Sequence, residues 1–174
     1  MGEPEGAVAD ATVLVFLGKL DKLDRLRERH RAVQIPEEVH EEVVVAGKEI
    51  GDRDATVVET AIESGWIVVE DVAVNSAVER FDLEEGETAT LSLALERDCD
   101  LLLADEEAVR EVARLLDLQP RGTLSVLFDE VRGGEASFDE FVDSLEQLID
   151  VGFYLDEAVY LEAIRKARQL AEGD

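Results

Sequence analysis

Short apolar runs alternate with amphipathic stretches along most of the chain. The clearest run is 101–104, whose four consecutive apolar residues are typical of a strand buried on both faces of a parallel sheet. A helical pattern follows it, with apolar residues recurring at helical spacing as far as Leu116. Because strands and helices alternate almost throughout, the pattern predicts right-handed βαβ units and an α/β fold with a central parallel sheet.

The same criteria predict the remaining strands and helices. Strands are expected at 7–9, 31–35, 66–69, 101–104 and 118–121. Helices are expected at 11–20, 21–29, 36–50, 54–64, 75–81, 88–96, 108–116, 123–131, 138–149 and 155–171. No repeat, linker or low-complexity block divides the chain, so we expect one domain over 1–174, with the C-terminal helices at 137–171 packing on it.

Two predicted strands run into an aspartate at their carboxyl ends. Asp10 follows the first strand and Asp105 the fourth. In an open parallel α/β sheet, ligands bind just beyond the carboxyl ends of the strands, so the two acids are expected to share a site. Glu42 and Glu87 are weaker candidates, because the first is also explained as exposed helix surface and the second as a favourable charge in a first helical turn.

The charge of the chain is strongly negative. Seventeen Lys and Arg stand against 43 Asp and Glu, which gives a net charge of −26. The acids are spread along the whole chain, which favours a solvated surface tolerated in a salt-rich cytoplasm, where screening acts over ~3 Å at molar salt. A nucleic-acid mimic that occupies basic partners is the alternative.

Several classes of protein are excluded or disfavoured by missing features. There is no dinucleotide-binding fingerprint, no phosphate-binding loop of the Walker type and no G-x-S-x-G elbow. The two histidines lack partners at zinc-ligand spacing. One cysteine, no apolar run of roughly 18 residues and no basic leader predict a reduced, cytoplasmic protein without a membrane span.

The chemistry that remains is that of carboxylates. Oxygen ligands select hard cations such as Mg²⁺ or Mn²⁺. Several carboxylates that converge on such an ion can activate a water and stabilise charge at a scissile phosphate. The residues alone therefore indicate a divalent-cation site built on Asp10 and Asp105, with Glu42 and Glu87 as further ligands.

Seven short segments, in order and over nearly the whole chain, resemble the PIN-domain family, in particular its VapC-like group of predicted nucleic-acid-binding proteins. They are V-A-D-A-T-V-L at 8–14, I-P-E-E-V-H-E-E-V at 35–43, G-W-I-V-V at 65–69, L-E-E-G-E at 83–87, L-L-L-A-D-E at 101–106, G-T-L-S-V-L at 122–127 and G-F-Y-L at 152–155. The resemblance implies a three-layer α/β/α fold and metal-dependent cleavage of RNA phosphodiester bonds by an endoribonuclease. It also implies a homodimer and a small antitoxin protein as partner, as for the toxin of a toxin–antitoxin pair.

Residue by residue, the resemblance assigns catalytic and metal-binding roles to acids of this chain. Asp10 matches the first family acid, Glu42 the acid in the helix after I-P, and Glu87 the acid of the G-E motif. Asp105, with Glu106 beside it, matches the acidic pair after the L-L-L strand, and which of the two faces the metal is left open.

Two departures and one supporting residue qualify the match. Ala89 stands where the family often has a second acid after G-E, and Glu106 stands where the last motif often has aspartate. Thr12 is expected either to support Asp10 by a hydrogen bond or to cap the helix.

A basic segment at 19–31 offers a path for nucleic acid. It holds six of the basic residues and is locally positive, and Arg25, Arg27 and Arg29 are the candidates for binding phosphate. The alternative is an amphipathic helix whose arginines pair with neighbouring acids. For the whole chain, the alternative function is a non-catalytic module on the same fold that binds nucleic acid or protein for regulation.

Overall fold

The computed structural model of the chain describes residues 6–173 and divides between Gly122 and Thr123 into two compact units. The first unit contains a five-stranded, all-parallel sheet in the order β3-β2-β1-β4-β5. The predicted α/β class is therefore confirmed, and each strand lies within two residues of its prediction. The strands are β1 Ala7–Ala9, β2 Val33–Pro36, β3 Ile67–Glu70, β4 Leu101–Leu103 and β5 Gln119–Arg121.

The helices of the first unit connect these strands. One of them is not continuous α-helix: α3 passes through a π-helical segment, Glu41–Val45, into α4. The helices are α1 Ala11–Lys19, α2 Asp24–Arg29, α3 Glu37–His40, α4 Ala46–Glu49, α5 Arg53–Glu63, α6 Ser76–Glu79, α7 Glu85–Glu96 and α8 Glu107–Leu115.

The sheet is the middle layer of three. The chain moves from β1 to β2 to β3 in one direction and from β4 to β5 in the other, so right-handed crossovers put the helices α1 to α5 on one face and α6 to α8 on the opposite face. On the second face, Val8 of β1 and Leu102 of β4 belong to one buried cluster with Leu91 of α7 and Val109 of α8. The three-layer α/β/α prediction is confirmed.

The reversal of direction creates a topological switch point between β1 and β4. The two strands pair directly, with Ala9 in register with Leu103, and the ladder continues as the Asp10 N–H donates to the Leu103 carbonyl at 2.8 Å. Crevices of this kind, outside the carboxyl ends of parallel strands, are where open α/β sheets bind ligands.

Three helices differ from the predictions by more than two residues at one end or in the type of helix. α2 begins at Asp24 rather than at residue 21, because Asp21 has a positive φ of 56°, a conformation that aspartate tolerates but a helix excludes. α7 begins at Glu85, three residues early, because a capping box joins Glu84 and Glu87. The predicted helix at 36–50 contains the π-helical segment, which apolar periodicity does not reveal.

The second unit consists of three helices, α9 Thr123–Arg132, α10 Phe138–Asp150 and α11 Glu157–Ala171. The rings of Phe128 on α9 and Phe141 on α10 stack with their centroids 5.2 Å apart. The ammonium of Lys166 on α11 lies 4.5 Å from the centre of the Phe128 ring. That the helices at 137–171 pack on the sheet, within one domain over 1–174, stays a prediction.

Among residues 6–173, none of the helices combines the length and the apolar character that crossing a membrane requires.

Candidate carboxylate site

Asp10 is held at the switch point by its position at the junction of β1 and α1. It is the N-cap of α1 and only 3% exposed. Its Oδ1 accepts hydrogen bonds from the Ala11 N–H at 2.9 Å and from the Thr90 hydroxyl at 3.3 Å. Asp10 therefore caps α1, and its carboxylate is oriented by donors from two different helices.

Burial raises the pKa of Asp10 from 3.8 to about 6. The hydrogen bond from Ala11 lowers the pKa, and the negative charges of Glu87 and Glu42 raise it further. The charged groups that affect the pKa of Asp10 are therefore negative, like the Asp10 carboxylate itself.

Glu42 approaches this site from the π-helical segment. Partial burial raises its pKa, and the charges of Glu84 and Glu87 raise it further. A Cβ atom added at Gly86 would lie 3.2 Å from Glu42 Oε2, so the carboxylate passes close over the backbone of α7. A π-helical turn carries an extra residue and rotates the side chains that follow, and such turns are frequent at functional sites.

Glu87 reaches the site from the first turn of α7. Its Oε1 accepts a hydrogen bond from the Glu84 N–H at 2.9 Å, as one half of the capping box. Partial burial raises the pKa of Glu87, the bond from Glu84 lowers it, and the charges of Glu84 and Glu106 raise it. The backbone thus fixes the direction of the Glu87 carboxylate before any ligand arrives.

The two acids after β4 lie in different surroundings. Glu106 is exposed, and its charge acts on Glu87. Asp105 is half-buried, and a Cβ atom added at Gly122 would lie 2.7 Å from its Oδ1 and 2.9 Å from Nη1 of Arg110. The structure therefore links Asp10, Glu42, Glu87 and Glu106 through mutual repulsion, whereas Asp105 lies against Gly122 at the end of β5.

Thr90, rather than Thr12, supports Asp10. Thr12 Oγ1 is buried and has no hydrogen-bond partner in the described residues, so the predicted bond from Thr12 to Asp10 is wrong, and Thr12 donates no capping bond either. Thr90 is fully buried on α7, and its Oγ1 lies 2.7 Å from the Gly86 carbonyl and 3.3 Å from Asp10 Oδ1. The sequence signal for Thr90 was its place one helical turn after Glu87 on the site-facing side of α7.

Two further residues were missed by the sequence reasoning. Glu84 lies in the quoted L-E-E-G-E segment, yet only the structure reveals its charge beside both Glu42 and Glu87. Gly122 belongs to the G-T-L-S-V-L segment, which gives no sign of its role at the site. Its lack of a side chain leaves room for Asp105 and Arg110.

The donor chemistry of the site fits a hard divalent cation. All candidate ligands are carboxylates, and the repulsion that raises the pKa values of Asp10, Glu42 and Glu87 is what a cation would relieve. Within residues 6–173, however, no three acidic, histidine or cysteine side chains lie close enough together to hold an ion as they stand. Binding an ion there would require these side chains to rearrange.

The basic segment divides into paired and unpaired residues. Arg25 lies 2.9 Å from Glu28, and Lys19 lies 3.1 Å from Asp54, as the amphipathic-helix alternative predicts. Arg27 forms no hydrogen bond or ion pair within the described chain. Whether Arg25, Arg27 and Arg29 bind nucleic acid stays a prediction.

Comparison with known proteins bears on the family of the chain. A family model described as PIN domain matches residues 6–169. No curated protein and no solved structure matches the chain significantly. The match is to the PIN domain in general, so the VapC-like grouping stays a prediction. The match spans the five-stranded parallel sheet and the acids at its carboxyl edge, and the chain belongs to the PIN-domain family.

Proposed function

We propose that this chain is a metal-dependent endoribonuclease that hydrolyses RNA phosphodiester bonds at its carboxylate site. PIN domains are typically nucleases that use divalent metal ions, which supports the general class. The observation that carries the specific proposal is Asp10, a buried carboxylate at the switch point whose pKa is raised by burial and by two neighbouring acids. Since a buried charge is costly without a compensating partner, a cation is the ligand this arrangement favours.

The proposed ligands are Asp10, Glu42 and Glu87, completed by Glu106 or Asp105. Both hydrogen bonds described for the Asp10 carboxylate fall on Oδ1, so Oδ2 is the oxygen that we propose as the ligand of the ion. Glu106 is the better fourth ligand, because its charge acts on Glu87 while Asp105 lies against Gly122. A bound Mg²⁺ or Mn²⁺ would lower the pKa of a coordinated water and offset charge at the phosphate.

The protein side chains then have positioning roles. Thr90 and the Ala11 N–H hold Asp10 in one orientation, and the Glu84 N–H holds Glu87. Glu42 is more exposed than Asp10 or Glu87, so its side chain has more freedom to move. It is our candidate for accepting a proton from the attacking water. The attack would be in line with the departing 3′ oxygen.

The cellular role is proposed from the resemblance alone. The chain would be a cytoplasmic toxin of the VapC kind and would form a homodimer. A small antitoxin protein would bind at its acidic groove. The dense surface acids are in keeping with a salt-rich cytoplasm, and we therefore propose high-salt buffer for every assay.

The first experiment is calorimetry of Mn²⁺ binding to the wild type and to Asp10→Ala. We expect binding in the wild type and its loss in the variant. The matched control is Asp54→Ala, since Asp54 is also a buried aspartate, 5% exposed, but is paired with Lys19. It should retain Mn²⁺ affinity, with circular dichroism used to show that both variants are folded.

The activity test follows with the same three proteins and a mixed RNA substrate. Asp10→Ala should lower the rate of cleavage by at least about 100-fold, because it removes the central ligand. Equal cleavage by folded Asp10→Ala protein would overturn the assignment. Absence of Mn²⁺ binding by the wild type would favour the alternative, a non-catalytic module that binds nucleic acid or protein.

A further inference from the structure

A second candidate site lies in the first unit, in a pocket between α2 and α5. The pocket has a volume of about 340 Å³, near the lower end of the roughly 300–1,000 Å³ range of small-ligand pockets. Its lining includes an arginine, an indole and three hydroxyl side chains, and none of its residues belongs to the carboxylate site. The lining residues are Leu23, Asp24, Arg27, Thr56, Val57, Thr60, Ala61, Ser64 and Trp66.

The pocket is at the opposite end of the sheet from Asp10. Trp66 directly precedes Ile67, the first residue of β3, and its carbonyl accepts a hydrogen bond from the Val33 N–H at the start of β2. Asp10 instead follows the carboxyl end of β1. The pocket therefore cannot be part of the site at the switch point.

Helical spacing creates the polar wall of the pocket. Thr56, Thr60 and Ser64 follow one another at intervals of four residues, so their hydroxyls lie along one side of α5 and its C-terminal end. The Thr60 hydroxyl donates to the Thr56 carbonyl at 2.9 Å, which leaves its oxygen as an acceptor. Val57 and Ala61, each one position further on, supply the apolar part of the same wall.

Arg27 faces this wall without a carboxylate partner. It forms no ion pair within the described residues, in a chain with 43 acids and 17 basic residues. Its neighbours Arg25 and Lys19 are both paired. An arginine and an indole that line the same pocket can bind a phosphate and a stacked aromatic base, respectively.

We propose that this pocket binds a nucleotide, with its base on the Trp66 indole and its phosphate on Arg27. Asp24, which also lines the pocket, is available to accept from ribose hydroxyls or a base amine, while Thr56 and Ser64 add hydroxyl donors and Thr60 an acceptor. The nucleotide is either free or one unit of an RNA chain. The second case rests on the proposed ribonuclease function and makes the pocket a subsite remote from the cleavage site.

Trp66 allows a direct test, because it is the single tryptophan of the chain. Its fluorescence is recorded while the full-length protein is titrated with AMP and, separately, with a short single-stranded oligoadenylate. EDTA is present, so that neither cleavage nor metal at Asp10 contributes. We expect quenching that saturates, and an affinity at least about tenfold weaker in Arg27→Gln, the loss typical of a charge-assisted hydrogen bond.

The matched control is Arg53→Gln. It removes the same charge from an exposed arginine of α5 that does not line the pocket, and it should bind as the wild type does. Quenching by AMP would support a site for free nucleotide, and quenching by the oligoadenylate alone would support an RNA subsite. No quenching, or equal affinities of Arg27→Gln and Arg53→Gln, would overturn the proposal. Because no metal is used, this outcome is independent of Mn²⁺ binding at Asp10.

Discussion

Two buried aspartates of the first unit, Asp10 and Asp54, differ in the charges around them. Asp54 is 5% exposed and Asp10 3%. The Asp54 carboxylate lies 3.1 Å from the Lys19 ammonium. Among the described residues, only a backbone N–H and a hydroxyl donate to Asp10, and the charges of Glu87 and Glu42 act against its ionisation.

The difference separates an acid whose charge is neutralised within the helix packing from one whose buried carboxylate has no ion-pair partner among the described residues. Asp54 joins α1 to α5, and a Cβ atom added at Gly18 would lie 2.9 Å from its Cβ, so the pair closes a tight helix contact. Asp10 forms no ion pair with any of the described residues. Burying an unpaired carboxylate destabilises the fold, and such groups cluster where a protein binds or reacts.

The largest expected effect on stability is that Asp10→Asn and Asp54→Asn change the free energy of unfolding in opposite directions. Asp10→Asn keeps an oxygen that can accept from Ala11 but removes the buried charge, so at neutral pH and without metal it should increase the free energy of unfolding. Asp54→Asn should decrease it by about 1–3 kcal/mol, because Lys19 loses its partner while its side chain remains only 30% exposed. Urea denaturation followed by circular dichroism measures both.

The pH dependence of the Asp10→Asn effect follows from the pKa of about 6. Because this pKa is above the ordinary value, the folded state holds the proton more tightly, and wild-type stability is lost as the pH rises through about 4 to 6. The advantage of Asp10→Asn should thus grow from about 1–2 kcal/mol at pH 5 to about 3 kcal/mol at pH 8. A constant difference, or equal signs for the two variants at pH 8, would contradict the comparison.

A smaller effect is expected where the site is shaped by contact rather than by charge. A methyl group at Gly122 would lie 2.7 Å from Asp105 Oδ1 and 2.9 Å from Arg110 Nη1, so Gly122→Ala should displace both side chains. Because both atoms lie at the ends of side chains that can turn away, we expect a loss of at most about 1 kcal/mol in the free energy of unfolding, at the low end of overpacking.

The matched control for this substitution is Gly6→Ala. There the added methyl would meet only the Ala32 carbonyl, at an ordinary 3.6 Å. If Gly122→Ala were as stable as Gly6→Ala, the close approach of Asp105 to Gly122 would not be a constraint on the fold.

The sheet could be predicted from sequence because buried parallel strands are local apolar runs. The apolar runs at 7–9 and 101–104 both form strands, and each is followed by an aspartate at the carboxyl end of the strand. The α1 cap at Asp10 could also be predicted, since it depends on adjacent residues. Strand order and the switch point were not predicted, because they depend on which distant segments pair in the sheet.

Contacts between distant segments could not be predicted in the same way. Thr90 and Asp10 are 80 residues apart, whereas the hydroxyl of Thr12, only two residues after Asp10, has no hydrogen-bond partner among the described residues. The π-helical segment under Glu42 leaves the apolar spacing of its helix nearly unchanged. The pocket at Arg27 combines α2 with α5, which the sequence separates by the whole of α3 and α4.

The smallest expected effect concerns Thr90, which distinguishes the surroundings of Asp10 from those of Asp54 without changing any charge. Thr90→Val keeps the shape of the side chain and removes the hydroxyl that lies 3.3 Å from Asp10 Oδ1. That hydrogen bond lowers the pKa of Asp10, so its loss should raise the pKa above about 6 and leave less carboxylate to bind a cation at neutral pH.

We expect Mn²⁺ affinity to fall by no more than about threefold near pH 6.5 and to recover toward pH 8, where Asp10 is ionised in both proteins. Thr88→Val, on the same helix and without a side-chain hydrogen bond in the described chain, is the control. Calorimetry at the two pH values decides the point: a weakening that persists unchanged at pH 8 would mean that Thr90 acts through packing, and equal affinities of the two valine variants would mean that it does not act on Asp10.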